Sequence, residues 1–104
     1  MRRGEVWLAQ VGGKLRPVVV MTRDEVLDVR ANVTVAEITT TVRGLAVEVP
    51  MDRDCGIDQA SVVNCDRLHT VSQRRLTERL GSVRDDTLAD ICEGVATAVG
   101  CDQR

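Results

Sequence analysis

Arg16 stands directly before Pro17, and a guanidinium in that setting suits one kind of chemistry. Its planar fork donates two parallel hydrogen bonds to a phosphate or a carboxylate and stays charged at any accessible pH. The fixed φ of proline restricts the residue before it, which narrows the directions in which the Arg16 side chain can start. The competing use is a surface salt bridge. Thr39 ends a run rich in branched residues, Asn32–Thr39, and its hydroxyl can donate to an anionic oxygen or serve only a strand's preference for branched side chains. Thr40 and Thr41 follow, but neighbours on a regular strand point to opposite faces, so Thr39 and Thr40 cannot both face one site. Acid–base groups are scarce: one histidine, His69, and no tyrosine. Two catalytic histidines are therefore excluded within one subunit, and His69 reads as structural or surface rather than as a catalyst.

The wider composition limits what such residues can serve. The chain has 104 residues, 43% hydrophobic and 29% charged, which suits one soluble folded domain over 1–104 and argues against disorder. Trp7 is the only aromatic residue, so the core must come from Val, Leu and Ile, and valine suits a pleated sheet. A net charge of −2 provides no global attraction for nucleic acid, although the first 30 residues carry a small basic excess. The start lacks the apolar run of a signal peptide, and nothing approaches the roughly 20 apolar residues of a membrane span, so a cytoplasmic location is expected. Cys55, Cys65, Cys92 and Cys101 show no C-x-x-C spacing; reduced thiols are the better reading, and neither a metal nor another cofactor is expected.

The elements that must hold these residues read as strands first and a helix last. Glu5–Ala9 is a short strand, Val11–Lys14 a turn on paired glycines, and Leu15–Met21 a strand whose Pro17 belongs near its start or on an edge. Arg23–Val29 suits one or two helical turns with Thr22 as N-cap. Asn32–Thr39 and Leu45–Val49 are strands, the second ended by Pro50, and Met51–Asp58 is a loop. Gln59–Cys65 and Arg67–Ser72 read as two more strands, giving five to six that suggest a small barrel or twisted sheet. Ser82 and Asp85 resemble a capping box, after which Leu88, Ile91, Val95 and Ala98 share one helical face and Gly100 marks the stop.

Several pieces of this order resemble one family. Arg3-Gly4-Glu5-Val6-Trp7 looks like the opening R-G-[DE]-[IV]-[WY] of MazF/PemK toxins, and Lys14–Val20 resembles that family's G-x-R-P-hydrophobic strand. Val35–Thr40 is similar to its hydrophobic-[IL]-T segment. Gln59–Asp66 resembles the strand after the loop glycine, and Thr70-Val71 with Arg75-Leu76 resembles T-[IV]-D…R-L. Each piece alone is common; five in order, from Arg3 to about Val99, are specific. Three positions depart from the pattern: His69 replaces a usual Arg, Ser72 a frequent Asp, and Asn64 an Arg of some members. The loop between Ala9 and Lys14 is also shorter than in many relatives.

The resemblance implies an SH3-like twisted barrel of five to seven short strands plus a C-terminal helix, paired as a homodimer. It implies a sequence-specific, metal-independent endoribonuclease toxin that cleaves single-stranded RNA by 2′-hydroxyl attack and is neutralised by a cognate antitoxin. Arg16 and Thr39 become the catalytic candidates, Arg16 by electrostatic stabilisation rather than proton transfer, since a guanidinium does not readily give up its proton. Gln59, Ser61, Asn64 and Asp66 become the RNA-binding candidates, Asp66 also as proton acceptor, with Gln59 and Ser61 expected on one face of a strand. The antitoxin is expected to be an acidic, partly disordered segment covering Arg16. The alternative on the same barrel is a CcdB-like poison of DNA gyrase; the ending Val99–Arg104 lacks the tryptophan-containing terminus of those toxins. A proline-binding SH3 module is disfavoured, because such grooves are lined by aromatic residues.

Overall fold

In a computed structural model, which describes residues 1–101, the valine-rich segments form a six-stranded antiparallel sheet carrying one long helix. Strands β1 (Glu5–Val11) and β2 (Lys14–Val20) make a hairpin in which Val11 faces Lys14. The two residues between them, Gly12 and Gly13, have φ of +59° and +79°, the left-handed pair that a tight hairpin with the twist of its strands requires. The chain continues through α1 (Asp24–Leu27), β3 (Asn32–Thr39), β4 (Glu48–Pro50), β5 (Val62–Ser72), a 3-10 turn (Gln73–Arg75), β6 (Leu76–Ser82) and α2 (Asp85–Ala98). The strand order is β4-β5-β3-β2-β1-β6.

Alternation divides the buried residues between two faces. Val6, Val19, Ala36, Ile38, Val49, Val63 and Cys65 pack with Ile91 of α2, and Val95 and Ala98 lie against that cluster. Ala9, Val11, Val18, Val20, Val33, Val35 and Leu76 form the second cluster, with Trp7 at its margin. Ile91 is fully buried, and a side chain of that size contributes about 1.5–3 kcal/mol when removed from water. The expected apolar helix stripe thus docks the helix, and Gly100, at φ +78°, lies just beyond its end.

The strand ladder stays open between β4 and β6, and the loop after β4 spans the gap. There, the Cys55–Gly56 backbone lies so close to Leu80–Gly81 that a Cβ on Gly81 would sit 2.3 Å from the Cys55 carbonyl oxygen, and one on Gly56 2.1 Å from that of Leu80. Only glycine at both positions lets the loop and strand touch. The barrel-like curvature is therefore completed by backbone packing rather than by hydrogen-bonded pairing.

Several local expectations are corrected. Gln59–Cys65 and Arg67–Ser72 are not two strands; they contribute to the single β5, which begins only at Val62, so Gln59 and Ser61 lie outside it. The Leu45–Val49 strand shrinks to Glu48–Pro50, because the Glu48 carboxylate accepts the backbone N–H of Arg43 and of Leu45 at 3.0 Å and turns the chain there. Pro50 sits within β4, an edge strand, where its missing N–H is tolerated. Strand β6 was not expected: Thr77, Glu78 and Arg79 are exposed, and its pattern lacks a branched apolar run. Thr22 does not cap α1; its Oγ1 accepts the Thr34 N–H at 2.7 Å, tying the end of β2 to β3. Arg23 holds the N-cap position without a side-chain bond, and the helix ends at Leu27. Ser82 ends β6 instead of capping α2; Arg84 stands at that N-cap, while Asp85 and Asp86 still complement the positive end of the helix. No helix among the described residues is long and apolar enough to cross a membrane.

Candidate active site

Strands β2 and β3 pair through only three residues of β2: Val18 faces Glu37, Val19 faces Ala36 and Val20 faces Val35. Beyond Val18 and Glu37 the two strands separate. The next pair in the same register and on the same face would be Arg16 and Thr39, so these two side chains stand on opposite banks of the opening. Among the described residues, the lower half of β2 pairs with β1 alone, where Ala9 faces Arg16 and Leu8 faces Pro17. Pro17 is accommodated because no β3 strand flanks it there.

The opening is a cleft of about 270 Å³ lined by Arg16, Glu37, Thr39, Thr41, Arg43, Glu48, Asn64 and Arg67. A row across the sheet supplies its floor: Glu37 of β3 faces Asn64 of β5, which faces Glu48 of β4. One wall comes from an irregularity in β5. Ala36 faces Leu68 and Glu37 faces Asn64, so Cys65, Asp66 and Arg67 are extra residues on the β5 side. Cys65 turns into the core and donates its N–H to Val47 O at 3.0 Å, while Asp66 donates its own to Asn64 Oδ1 at 3.0 Å. Arg67 is thereby delivered to the cleft.

Three guanidinium groups and two carboxylates meet here, and one carboxylate is committed elsewhere. Glu48 holds the backbone of the 43–45 turn. Glu37, only 6% exposed, places Oε1 3.2 Å from Arg16 Nη1 and Oε2 2.5 Å from His69 Nε2. Arg43 and Arg67 are exposed and form no ion pair among the described residues. Thr39 Oγ1 accepts the Thr41 N–H at 3.1 Å, which leaves its own proton to donate. The arrangement can bind an anion of tetrahedral shape between a pinned guanidinium and a hydroxyl, with two further cations at the rim.

Of the residues singled out in the sequence, Arg16, Thr39 and Asn64 line this cleft. Asp66 is exposed in the adjoining bulge. Gln59 and Ser61 are elsewhere: they line a separate recess with Asp52 and Ile57, and they do not share a strand face. Gln59 is exposed, whereas Ser61 is buried and its hydroxyl has no hydrogen-bond partner among the described residues. Glu37, Arg43, Glu48 and Arg67 were missed. Glu37 had a signal, since an acid follows Val33 and Val35 on the buried parity of β3. Arg67 had none, because a bulge cannot be read from alternation. Among the described residues, no three His, Cys, Asp or Glu side chains form a metal-holding group.

Residues 2–99 match the family described as PemK-like, MazF-like toxin of type II toxin–antitoxin system. The chain belongs to the PemK/MazF toxin family. It is 43% identical over 89 residues to endoribonuclease MazF3 of Mycobacterium tuberculosis, covering 86% of each chain. Among solved structures it resembles Mycobacterium tuberculosis toxin MazF-mt6, with a TM-score of 0.87 and 41% identity over 92% of this chain and 96% of the other. An endoribonuclease solved in complex with its cognate antitoxin, from a mycobacterial species, gives a TM-score of 0.88 at 27% identity, covering 96% and 95%. The open six-stranded sheet with its terminal helix is thus the PemK/MazF fold, and the cleft between β2 and β3 belongs to a chain of that family.

Proposed function

We propose that this PemK/MazF chain is a sequence-specific endoribonuclease that cuts single-stranded RNA without a metal ion. In this reading the 2′-hydroxyl beside the scissile phosphate attacks phosphorus, and the bond to the 5′-oxygen breaks. The products are a 2′,3′-cyclic phosphate and a free 5′-hydroxyl. The observation that carries the reading is the in-register placement of Arg16 and Thr39 across one cleft.

Each residue then has a task set by its chemistry. Arg16 stabilises the negative charge that builds on the phosphorane oxygens, where a fixed cation is worth most. Thr39, with its oxygen already engaged by the Thr41 N–H, donates its proton to a non-bridging oxygen. Arg43 and Arg67 attract flanking phosphates. Asn64 reads a base edge, and Asp66, exposed beside it, accepts a proton or contacts the RNA. Gln59 extends the contact surface along the neighbouring recess. Ser61 serves RNA only after its buried hydroxyl is uncovered.

The relatives support the rest. Their names describe endoribonucleases, and one is solved with its antitoxin. We extend both statements to this chain: it cuts RNA, and a cognate antitoxin occupies the cleft and competes for Arg16; as the resemblance implies, it acts as a homodimer. The test is incubation of the purified protein with a long RNA, with and without EDTA, followed by mapping of both product ends. Cyclic phosphate ends that form equally in EDTA are expected; cleavage abolished by the chelator contradicts the metal-independent reading.

A further inference from the structure

Glu37 uses its two carboxylate oxygens on two different strands. Oε1 lies 3.2 Å from Arg16 of β2 and Oε2 lies 2.5 Å from His69 of β5. Its side chain is 8% exposed, against 40% for Arg16 and 30% for His69, so the acid is the dry centre and its partners are the wetter ends. The position follows from register: His69 faces Val35, two residues before Glu37 on the same side of β3. His69 is not among the residues that line the cleft and is linked to it through Glu37.

An ionised carboxylate in contact with a guanidinium offsets much of the charge that the guanidinium can present to a phosphate. A second cation on the far oxygen restores it. We propose that His69 is a positioning residue for RNA cleavage: through Glu37, its protonated ring balances the buried carboxylate, so that Arg16 faces the scissile phosphate with a net positive charge. The inference rests on the ribonuclease reading above. With His69 protonated, the trio Arg16, Glu37 and His69 carries one net positive charge; with His69 neutral it carries none.

The other charged groups around the trio are Arg43, Glu48 and Arg67 at the cleft and Asp66 in the bulge; Asn64 of β5 and Val35 of β3 are neutral. Histidine is the residue type that ordinarily changes charge between about pH 5 and 8, whereas arginine and carboxylates ordinarily do not. The sign follows directly. Cleavage assisted by a cation on His69 is strongest where the ring is protonated and fades where it is neutral.

The test compares single-turnover cleavage by the wild type, His69→Arg and His69→Gln between pH 5.5 and 8.5, on one mapped RNA. His69→Arg carries a permanent cation, so general effects of pH on the 2′-hydroxyl cancel in the rate ratio. The wild-type to His69→Arg ratio is expected to fall roughly tenfold across the range, the scale of one hydrogen bond to a charged group. The wild-type to His69→Gln ratio is expected to fall from roughly ten towards one, with little change in KM. The second comparison stands even if His69→Arg does not fold. A wild-type to His69→Gln ratio that stays constant with pH marks a merely structural histidine and overturns the proposal. A wild type that cuts no RNA overturns the ribonuclease reading instead.

Discussion

Arg16 and Thr39 occupy the first same-face positions beyond the Val18–Glu37 pair, on two strands that have already parted. Had the ladder continued, the two would be ordinary cross-strand neighbours with little room for a ligand. Because it stops, they border a cleft whose cation is anchored by a buried acid. The roles proposed for them lead to a consequence for each side chain.

Replacing Arg16 by Ala is expected to lower kcat by about 10²–10³-fold, the usual loss for one donor aimed at developing charge. Arg16→Lys should recover only a small part, since an ammonium cannot reproduce the fork that meets both Glu37 and a phosphate. Thr39→Val, which keeps the shape and removes the hydroxyl, should also act on kcat more than on KM. Single-turnover rates check all three. Full activity in Arg16→Lys would show that fork geometry is not used.

Arg43 and Arg67, which form no ion pair among the described residues, stand at the rim and should affect binding rather than chemistry. For single strands, log K falls with log salt by about 0.7 per neutralised phosphate. Arg43→Ala and Arg67→Ala should each flatten that slope by about 0.7 and weaken binding of an uncleavable deoxy oligonucleotide at low salt. Fluorescence titration at several salt concentrations measures it. An unchanged slope in both variants would place the RNA elsewhere.

Much of this site was legible in the sequence, and the gaps have particular causes. Asn32–Thr39 was bounded correctly because its branched residues and alternation agree. Arg16 and Thr39 stood out through Pro17 and a family pattern. Glu37 was overlooked because it sits inside an apolar run where a carboxylate is costly, and only the long-range partners Arg16 and His69 make it tolerable. The bulge at Cys65–Arg67 and the polar edge strand β6 depend on tertiary pairing, which local pattern does not encode. Gln59 and Ser61 were placed on a strand by alternation, yet the strand starts three residues after Gln59, at Val62.

The contact that closes the sheet should be intolerant of a single methyl group. Gly81→Ala places a Cβ 2.3 Å from the Cys55 carbonyl oxygen, and backbone lies on both sides of the clash. A loss of at least about 2 kcal/mol is expected, which for a domain of this size lowers Tm by about 10 °C or more. Gly12→Ala, at a hairpin tip with open space around it, meets only backbone strain and should cost less. Calorimetry on both variants distinguishes them; equal losses would contradict the packing account.

The four thiols are free, and their reactivity should follow burial. Burial, then the nearby Asp66 and Cys92, pushes the Cys65 thiol up to about 11, and burial first of all raises that of Cys55. An acid whose folded pKa lies above its ordinary value loses stability as pH rises. Cys65 should therefore leave stability unaffected below about pH 8 and reduce it between about 9 and 11. Iodoacetamide at pH 8 should label exposed Cys101 well before Cys55 or Cys65, as mass spectrometry can show. Rapid labelling of Cys65 in the folded protein would be inconsistent with its place under α2.

In the proposed mechanism the RNA supplies its own nucleophile while Arg16 and Thr39 steady the phosphate. The most direct measurement uses two oligonucleotides of identical sequence containing one mapped cut site, the second with deoxyribose only at the nucleotide whose 2′-hydroxyl would attack. Wild-type protein is expected to cut the first, leaving a cyclic phosphate, and to bind the second without cutting it. Cleavage of the deoxy-substituted strand at the same bond would contradict the account.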